Sequence, residues 1–316
     1  MVSEGAGTIL AGKYQLLAPV GEGGMASVWR ARTLGASGFS RKVAVKRVLS
    51  SLSRAPGFAA MFLEEARVVA DLQHPNIVQV HDFDKDAYGN YFIVLEWVEG
   101  IDMRQYVRAH ERISAPTTWH LVTAIGVEVL RALGAAHGRI DENGRSVPVI
   151  HRDVNPANIL LGVNGIVKLA DFGLARASDR GSMTDPGIVK GKVSYLAPEL
   201  VAGKAASAKS DLYAVGIVLW EALTQKRLFY GRSLPDTARM VLEGAVPRLE
   251  SERSDLPASL CEAIHTALAR DPDDRFDSAQ EMLRALTSLL RQHPEPTDAA
   301  PMAWSVRRAM ALLSAM

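Results

Sequence analysis

The order of apolar and polar positions predicts strands first and helices afterwards. Tyr14 to Val20 reads as a strand that runs into the glycine-rich stretch Gly21-Glu22-Gly23-Gly24-Met25-Ala26-Ser27-Val28. Val43-Ala44-Val45-Lys46 alternates as a half-buried strand does, with Ala44 and Lys46 on one face. Phe58 to Leu72 carries Phe58, Met61, Phe62, Val68, Val69 and Leu72 at helical spacing, with Glu65 in the middle of that stripe and Glu64 at its edge. His74-Pro75-Asn76 breaks the helix, and Ile77 to Val80 and Tyr91 to Glu96 predict two further strands around the polar turn Asp84 to Asn90.

From there the spacing is helical. Thr117 to Ala136 places Trp119, Val122, Ile125, Val129 and Leu133 on one side. Gly138 to Val149 contains Asn143-Gly144, a hairpin-turn signal. Asp211 opens a near-uniformly apolar helix to Leu223, and Leu260 to Leu268 and Gln280 to Leu290 are amphipathic. After the linker His293-Pro294-Glu295-Pro296-Thr297-Asp298, the residues Met302, Val306, Met310 and Leu313 line up at helical spacing beside Arg307 and Arg308. This tail has three readings: docking on the core, which is the default, self-association, or leading into a further region.

Composition narrows the class. The 316 residues are 48% hydrophobic and 22% charged, which suits a globular chain with a large core. A net charge of +1 gives no bulk electrostatic case for nucleic acid or an anionic membrane. The single cysteine, Cys261, excludes an internal disulfide and reads as a buried small hydrophobe in a reducing compartment. The acidic N-terminus is no secretory signal. The longest apolar run, Leu212 to Trp220, is about half of the roughly 18 to 20 residues a membrane span needs. The expectation is a cytoplasmic protein with neither a membrane span nor a nucleic-acid partner.

The chemistry concentrates in His151-Arg152-Asp153-Val154-Asn155-Pro156-Ala157-Asn158 and in Asp171-Phe172-Gly173. A loop of this kind suits phosphoryl transfer: one carboxylate orients a hydroxyl, while an amide and a second carboxylate hold the metal that neutralises phosphate charge. The combination H-R-D-x-x-x-x-N followed by D-F-G is specific, and it resembles the eukaryotic-like (Hanks-type) protein kinases, within them the bacterial Ser/Thr kinases. Motifs in the right order cover Gly12 to Leu290.

The resemblance implies an α+β, two-lobed fold. A small antiparallel β-lobe with one prominent helix, about 12–97, precedes a larger helical lobe, about 98–293, with the nucleotide between them. Residues 1–11 are then an extension, and 294–316 a linker and short amphipathic helix. ATP and Mg2+ are the implied cofactors. Val20, Gly21, Gly23, Gly24, Val28, Ala44, Leu95 as gatekeeper, Glu96, Val98 and Leu160 would surround the nucleotide. Asp102 either reaches the ribose or caps a helix. Lys46 would pair the α- and β-phosphates and Glu65, a carboxylate that facing a core would be costly without a cation. Asp153 is the implied base, and Asn158 and Asp171 the magnesium ligands. His151 and Phe172 would pack in a spine with Val69 and Val80. Glu199 would pair with Arg275, and Asp211 would bond the catalytic-loop backbone or cap its helix. Thr184, with Ser178 and Ser182 nearby, is a candidate phosphosite that could order the activation segment through Arg152, or else an ordinary loop threonine. The stretch 138–149 is longer than the usual connection.

The sequence departs from the family in three places. Ala26 stands at the third glycine of the loop. Asn155 stands where Ser/Thr kinases carry a lysine, two residues after the base. Lys192 stands where they carry a threonine, after Gly191. An ammonium is thus missing from one wall of the site and present on the facing one, so Lys192 either replaces that charge or points to solvent. The tyrosine-kinase form of the loop, with arginine two places before Asn158, is absent. The expected reaction is transfer of the ATP γ-phosphoryl group to protein Ser or Thr hydroxyls, with self-association for trans-autophosphorylation as a further expectation. The rivals are a pseudokinase scaffold that binds nucleotide without turnover and a small-molecule kinase of related fold, against which Ala197-Pro198-Glu199 argues as part of a polypeptide-substrate platform.

Overall fold

Alternation in the first hundred residues builds one antiparallel sheet. A computed structural model describes residues 5–22, 26–49, 66–172 and 190–315. Its strands are β1 (Ile9–Leu10), β2 (Tyr14–Glu22), β3 (Ala26–Thr33), β4 (Lys42–Val48), β5 (Val80–Lys85) and β6 (Tyr91–Glu96), in the order β1-β2-β3-β4-β6-β5. One face buries Leu10, Tyr14, Leu16, Ala31, Val43, Val45, Phe92 and Val94, with Trp29 packed against them. Of the predicted helix from Phe58 to Leu72, residues 66–72 are described, and 66–70 are helical. The strand predicted at Ile77 to Val80 begins instead at Val80, and Ile77 forms an isolated parallel bridge with Leu169.

The chain divides into two compact units. The first holds this sheet with residues through Val98, and the second holds 74–77, 99–173 and the chain from 181 on. The second unit opens with a small sheet of β7 (Gly100–Asp102), β8 (Ile159–Gly162) and β9 (Val167–Leu169). Its helices are α1 (Met103–Arg112), α2 (Trp119–His137), α3 (Lys190–Val193), α4 (Pro198–Val201), α5 (Ala208–Thr224), α6 (Leu234–Glu243), α7 (Leu249–Glu252), α8 (Ala258–Ala267), α9 (Ala279–Arg291) and α10 (Ala299–Ser314).

Helix α5 is near-uniformly apolar, and every residue from Ser210 to Leu223 is buried, Asp211 and Glu221 among them with hydrogen-bond partners. It packs against α2, α7 and α8, and α2 also packs along α9. By length and composition α2 is also apolar enough to cross a membrane, but 72% of that window is buried inside the unit, as suits a core helix. The hairpin signal at 143–144 forms a tight turn: Asp141 Oδ1 accepts from the N–H groups of Asn143 and Arg145, and Gly144 takes φ 76°.

The tail helix α10 lies against α1, β7 and β8. Tyr106 Oη and Ser305 Oγ meet at 2.8 Å in a buried contact, and Arg307 donates to the Val163 carbonyl at 2.7 Å. Arg112 donates to the carbonyls of Leu312 and Leu313, satisfying orphan acceptors at the end of α10. Gly165 makes the entry of α10 possible. Its φ is +85°, and a Cβ there would sit 2.0 Å from the Ala299 carbonyl oxygen.

Candidate active site

Asn155-Pro156 shapes the loop that carries the chemistry. Proline presets φ for a first helical position, and Pro156–Asn158 forms a single 3-10 turn. Asn155 caps that turn, its Oδ1 accepting from the Ala157 N–H at 2.9 Å. The fold-back brings together residues five apart: Asn158 Nδ2 donates to the Asp153 carbonyl at 2.8 Å. Asn155 Nδ2 donates to the same carbonyl and to Asp153 Oδ1, both at 3.0 Å. The other carboxylate oxygen, Oδ2, accepts from Lys192 Nζ at 2.8 Å. Lys192 comes from α3, so both oxygens of Asp153 are engaged, one from its own loop and one from a distant segment.

Asp211 of α5 holds the start of this loop. Its Oδ2 accepts from the His151 N–H and its Oδ1 from the Arg152 N–H, both at 2.8 Å, and His137 Nε2 lies 2.9 Å from Oδ2. Arg152 has φ 66°, a left-handed conformation that costs a non-glycine residue about 1–3 kcal/mol. The Asp211 carboxylate therefore fixes a backbone that local preference would release. The helix cap is a separate residue: Ser207 caps α5 in a capping box with Ser210.

His151 is fully buried. Its Nε2 donates to the Ala170 carbonyl at 2.9 Å, so the ring's Nδ1 is the acceptor for the Asp153 N–H at 3.2 Å. Its ring meets Phe172 edge-on, with centroids 4.4 Å apart. Burial pushes the imidazole below the ordinary histidine value, against the opposing pull of Asp211, Asp153 and Asp171.

Asp171, at φ 61°, follows Ala170, whose N–H donates to the Asn158 carbonyl at 2.8 Å. Asn158 and Asp171 thus belong to one backbone-linked set. With Asn158 Nδ2 given to Asp153, its amide oxygen is the atom left to meet a cation. One amide oxygen and one carboxylate suit magnesium, which keeps waters and takes its remaining ligands from phosphate. Among the described residues no three His, Cys, Asp or Glu cluster as a metal cage.

The first unit arranges the other predicted residues by strand register. Val28 lies opposite Lys46, and Ala44 opposite Leu95. Period-2 alternation therefore puts Val28, Ala44, Lys46 and Leu95 on one face of the sheet, away from the core face that holds Val43, Val45 and Val94. Glu96 falls on the core-face side, where its Oε2 accepts from the Gln79 N–H at 3.3 Å. Val20 sits at a register shift between Pro19 and Gly21 and is exposed. Val98 closes the unit after β6.

In the second unit Asp102 caps α1: its Oδ1 accepts from the Gln105 N–H at 2.8 Å and its Oδ2 pairs with Arg104 at 3.0 Å. Leu160 lies opposite Asp102 across the β7–β8 pair. Gly23, Gly24, Glu65, Ser178, Ser182 and Thr184 lie outside the described residues.

Two features escaped the sequence reading. One is the inward lock of Asn155, for which the Asn-Pro dipeptide was the available signal. The other is a buried cluster next to Ala197-Pro198-Glu199, where Tyr195 Oη donates to Glu221 Oε2 at 2.6 Å and Arg227 binds both.

Comparison with known proteins agrees with this geometry. The protein kinase domain family matches residues 14–286. The chain is 37% identical over 291 residues to the tyrosine-protein kinase MasK of Myxococcus xanthus, covering 92% of this chain and 45% of MasK. It is 33% identical over 276 residues to the serine/threonine-protein kinase PrkC of Bacillus subtilis, covering 87% of this chain and 40% of PrkC. The chain therefore spans less than half the length of either relative. The crystal structure of the Mycobacterium tuberculosis PknI kinase domain superposes with a TM-score of 0.66 at 30% identity, covering 90% of this chain and 99% of that domain. With a family match across most of its length and a catalytic loop built around Asp153, the chain belongs to the protein kinase domain family.

Proposed function

We propose that this chain transfers the γ-phosphoryl group of ATP to Ser or Thr hydroxyls of protein substrates. The observation that carries the reading is the presentation of Asp153 by a loop fixed at three points: Asp211 on the His151 and Arg152 amides, and Asn158 on the Asp153 carbonyl. Phosphoryl transfer asks a protein mainly for positioning and charge neutralisation. Asp153 orients the acceptor hydroxyl and takes its proton. Asn158 and Asp171 would hold magnesium, which neutralises phosphate charge when bound. Lys46, on the same sheet face as Val28 and Ala44, would meet the nucleotide phosphates. Thr184 remains the proposed acceptor for autophosphorylation.

Tyrosine acceptors form a second reading, favoured by the name of the relative MasK and by Asn155 and Lys192 at the two positions that usually mark Ser/Thr kinases. The arginine that marks the tyrosine-kinase form of this loop is absent between Asp153 and Asn158, which weighs against it. The test is incubation with magnesium and ATP, followed by mapping of phosphate by mass spectrometry on the chain and on a generic protein substrate, with Asp153→Asn alongside. Phosphoserine or phosphothreonine in the wild type alone is expected. Phosphotyrosine would move the acceptor class, and no phosphate on either protein would sink the enzymatic reading in favour of a nucleotide-binding scaffold.

A further inference from the structure

The position two residues after Asp153 holds an asparagine whose amide is spent. Its Nδ2 donates twice, to the Asp153 carbonyl and to Asp153 Oδ1, and its Oδ1 accepts from Ala157. An amide locked inward carries no charge toward a phosphate and has no donor left to offer one. On the other side of the Asp153 carboxylate, Lys192 Nζ sits 2.8 Å from Oδ2.

Stability does not account for this pair. The Lys192 side chain is 54% exposed, and exposed ion pairs are worth about 0–1 kcal/mol because water screens them and ordering a lysine costs entropy. What the pair achieves is placement: a primary ammonium beside the carboxylate that would receive the acceptor's proton. The transferred phosphoryl group must pass close to that carboxylate, and fixed cations there act most strongly on charge that develops during transfer.

From this geometry we infer that Lys192 is a catalytic residue: its ammonium, which has three donors, contacts the γ-phosphoryl oxygens of bound ATP as well as Asp153 and holds them through transfer, so that the cation absent at Asn155 is supplied from α3. The inference rests on the phosphotransferase reading above. In the step concerned, the acceptor oxygen bonds to the γ-phosphorus as the bond from that phosphorus to the β–γ bridging oxygen breaks. The hydroxyl proton goes to Asp153, ADP leaves with the bridging oxygen, and Lys192, already bridging the carboxylate and the γ-phosphoryl oxygens, shifts fully to the phosphoryl oxygens as Asp153 becomes neutral. Protonation of Asp153 removes the charge that holds Lys192, so the ammonium is released toward phosphate as the transfer proceeds. Because Lys192 lies 39 residues from Asp153 in sequence, placement of α3 would control the chemical step directly.

The test compares wild type, Lys192→Ala and Lys192→Ala with Asn155→Lys in the full chain, using magnesium and ATP with a protein acceptor. Affinities for ATP and ADP are titrated separately as a readout independent of turnover. Wild-type turnover, with none in Asp153→Asn, first establishes the underlying activity; its absence overturns the function and this inference together. Given that activity, Lys192→Ala is expected to lose on the order of 10²- to 10³-fold in turnover. Its preference for ATP over ADP should fall by about tenfold or more, the worth of a charge-assisted hydrogen bond. Asn155→Lys in the same chain should recover part of both. Full turnover in Lys192→Ala overturns the inference. So does lost turnover with an unchanged ATP-to-ADP preference, which would make Lys192 only a positioning residue for Asp153. Failure of Asn155→Lys to recover either quantity counts against it equally.

Discussion

Arg275 and Glu199 meet fork to fork: Nη1 donates to Oε1 and Nη2 to Oε2, both at 2.8 Å, with both side chains buried. The remaining guanidinium hydrogens go to the carbonyls of Ala269, Lys209 and Arg270, and the guanidinium lies 4.6 Å from the Tyr213 ring centroid. Glu199 lies in the short α4, directly after Ala197-Pro198, so one side chain ties that segment to the C-terminal part of the unit. Removing one partner leaves the other as an uncompensated buried charge. Arg275→Ala should therefore lower stability by about 3–5 kcal/mol, read as a reduced urea midpoint with an unchanged slope. A loss below about 1 kcal/mol would show that the pair is not the tie proposed for it.

Asp211 holds the catalytic loop through two backbone amides on consecutive residues, and Asp211→Asn tests that hold. An amide keeps the shape but has one acceptor oxygen where the carboxylate has two, so one of the His151 and Arg152 N–H groups loses its partner. Each hydrogen bond to a charged acceptor is worth about 1.5–3 kcal/mol. The loss falls where Arg152 is held at positive φ. Turnover should drop while affinity for ATP changes little, because what moves is the base and not the sheet that carries Lys46. Equal loss of both, measured by steady-state kinetics and nucleotide titration, would point to general unfolding instead.

These two ties show what the sequence made legible. Asp153 and Asn158 were readable because they share one short loop, and Ala44 and Lys46 because alternation alone places them on one strand face. Glu199 and Arg275 were readable only through resemblance to the family, since the pair is 76 residues apart. The approach of Lys192 to Asp153 followed from two complementary departures, but its distance did not. The strand at Val80–Lys85 was misplaced because the expected strand ended at Val80 and the polar turn Asp84 to Asn90 took in Asp84 and Lys85, whereas the strand runs through them. Asp82 tolerates a strand because its carboxylate accepts from Tyr14 Oη at 2.5 Å, and Lys13 lies 3.8 Å from Asp82 and 3.9 Å from Asp84. A partner on another strand satisfies the polar residue, and no local pattern reveals it.

The tail offers a double-mutant cycle. Tyr106 is fully buried and its hydroxyl meets Ser305, with burial pushing that phenol above its ordinary pKa. Ser305→Ala strands the Tyr106 hydroxyl in the core of the α1–α10 contact and should cost about 1–3 kcal/mol. Tyr106→Phe strands the serine in turn. The double variant removes both polar groups and should be more stable than the two single losses predict when added. Additive losses in thermal unfolding would show that the hydroxyls do not interact and that apolar packing alone holds α10.

Acid should loosen the second unit through its histidines. His74 Nδ1 accepts from the Asn76 N–H at 3.1 Å, His151 Nδ1 from the Asp153 N–H at 3.2 Å, and His265 Nε2 from the Leu249 N–H at 3.2 Å. A protonated nitrogen cannot accept, so each contact needs a neutral ring. Burial is the leading cause that lowers the pKa of all three, and of His120, where the neighbouring His293 adds to it and Glu295 opposes it. A lowered folded pKa means that the unfolded chain takes up protons first as pH drops. The stability tied to these rings is therefore complete above the ordinary histidine value of about 6.5 and is lost as pH falls from there through the folded values. Thermal unfolding at pH 7.5 and pH 5.5 should show a lower midpoint at the acid value, a window that lies above the ordinary carboxylate range. His265→Gln keeps an acceptor oxygen that does not titrate, so it should narrow the gap between the two midpoints. A midpoint that stays level or rises on acidification would mean that these rings already carry protons in the folded chain, against the hydrogen bonds they accept.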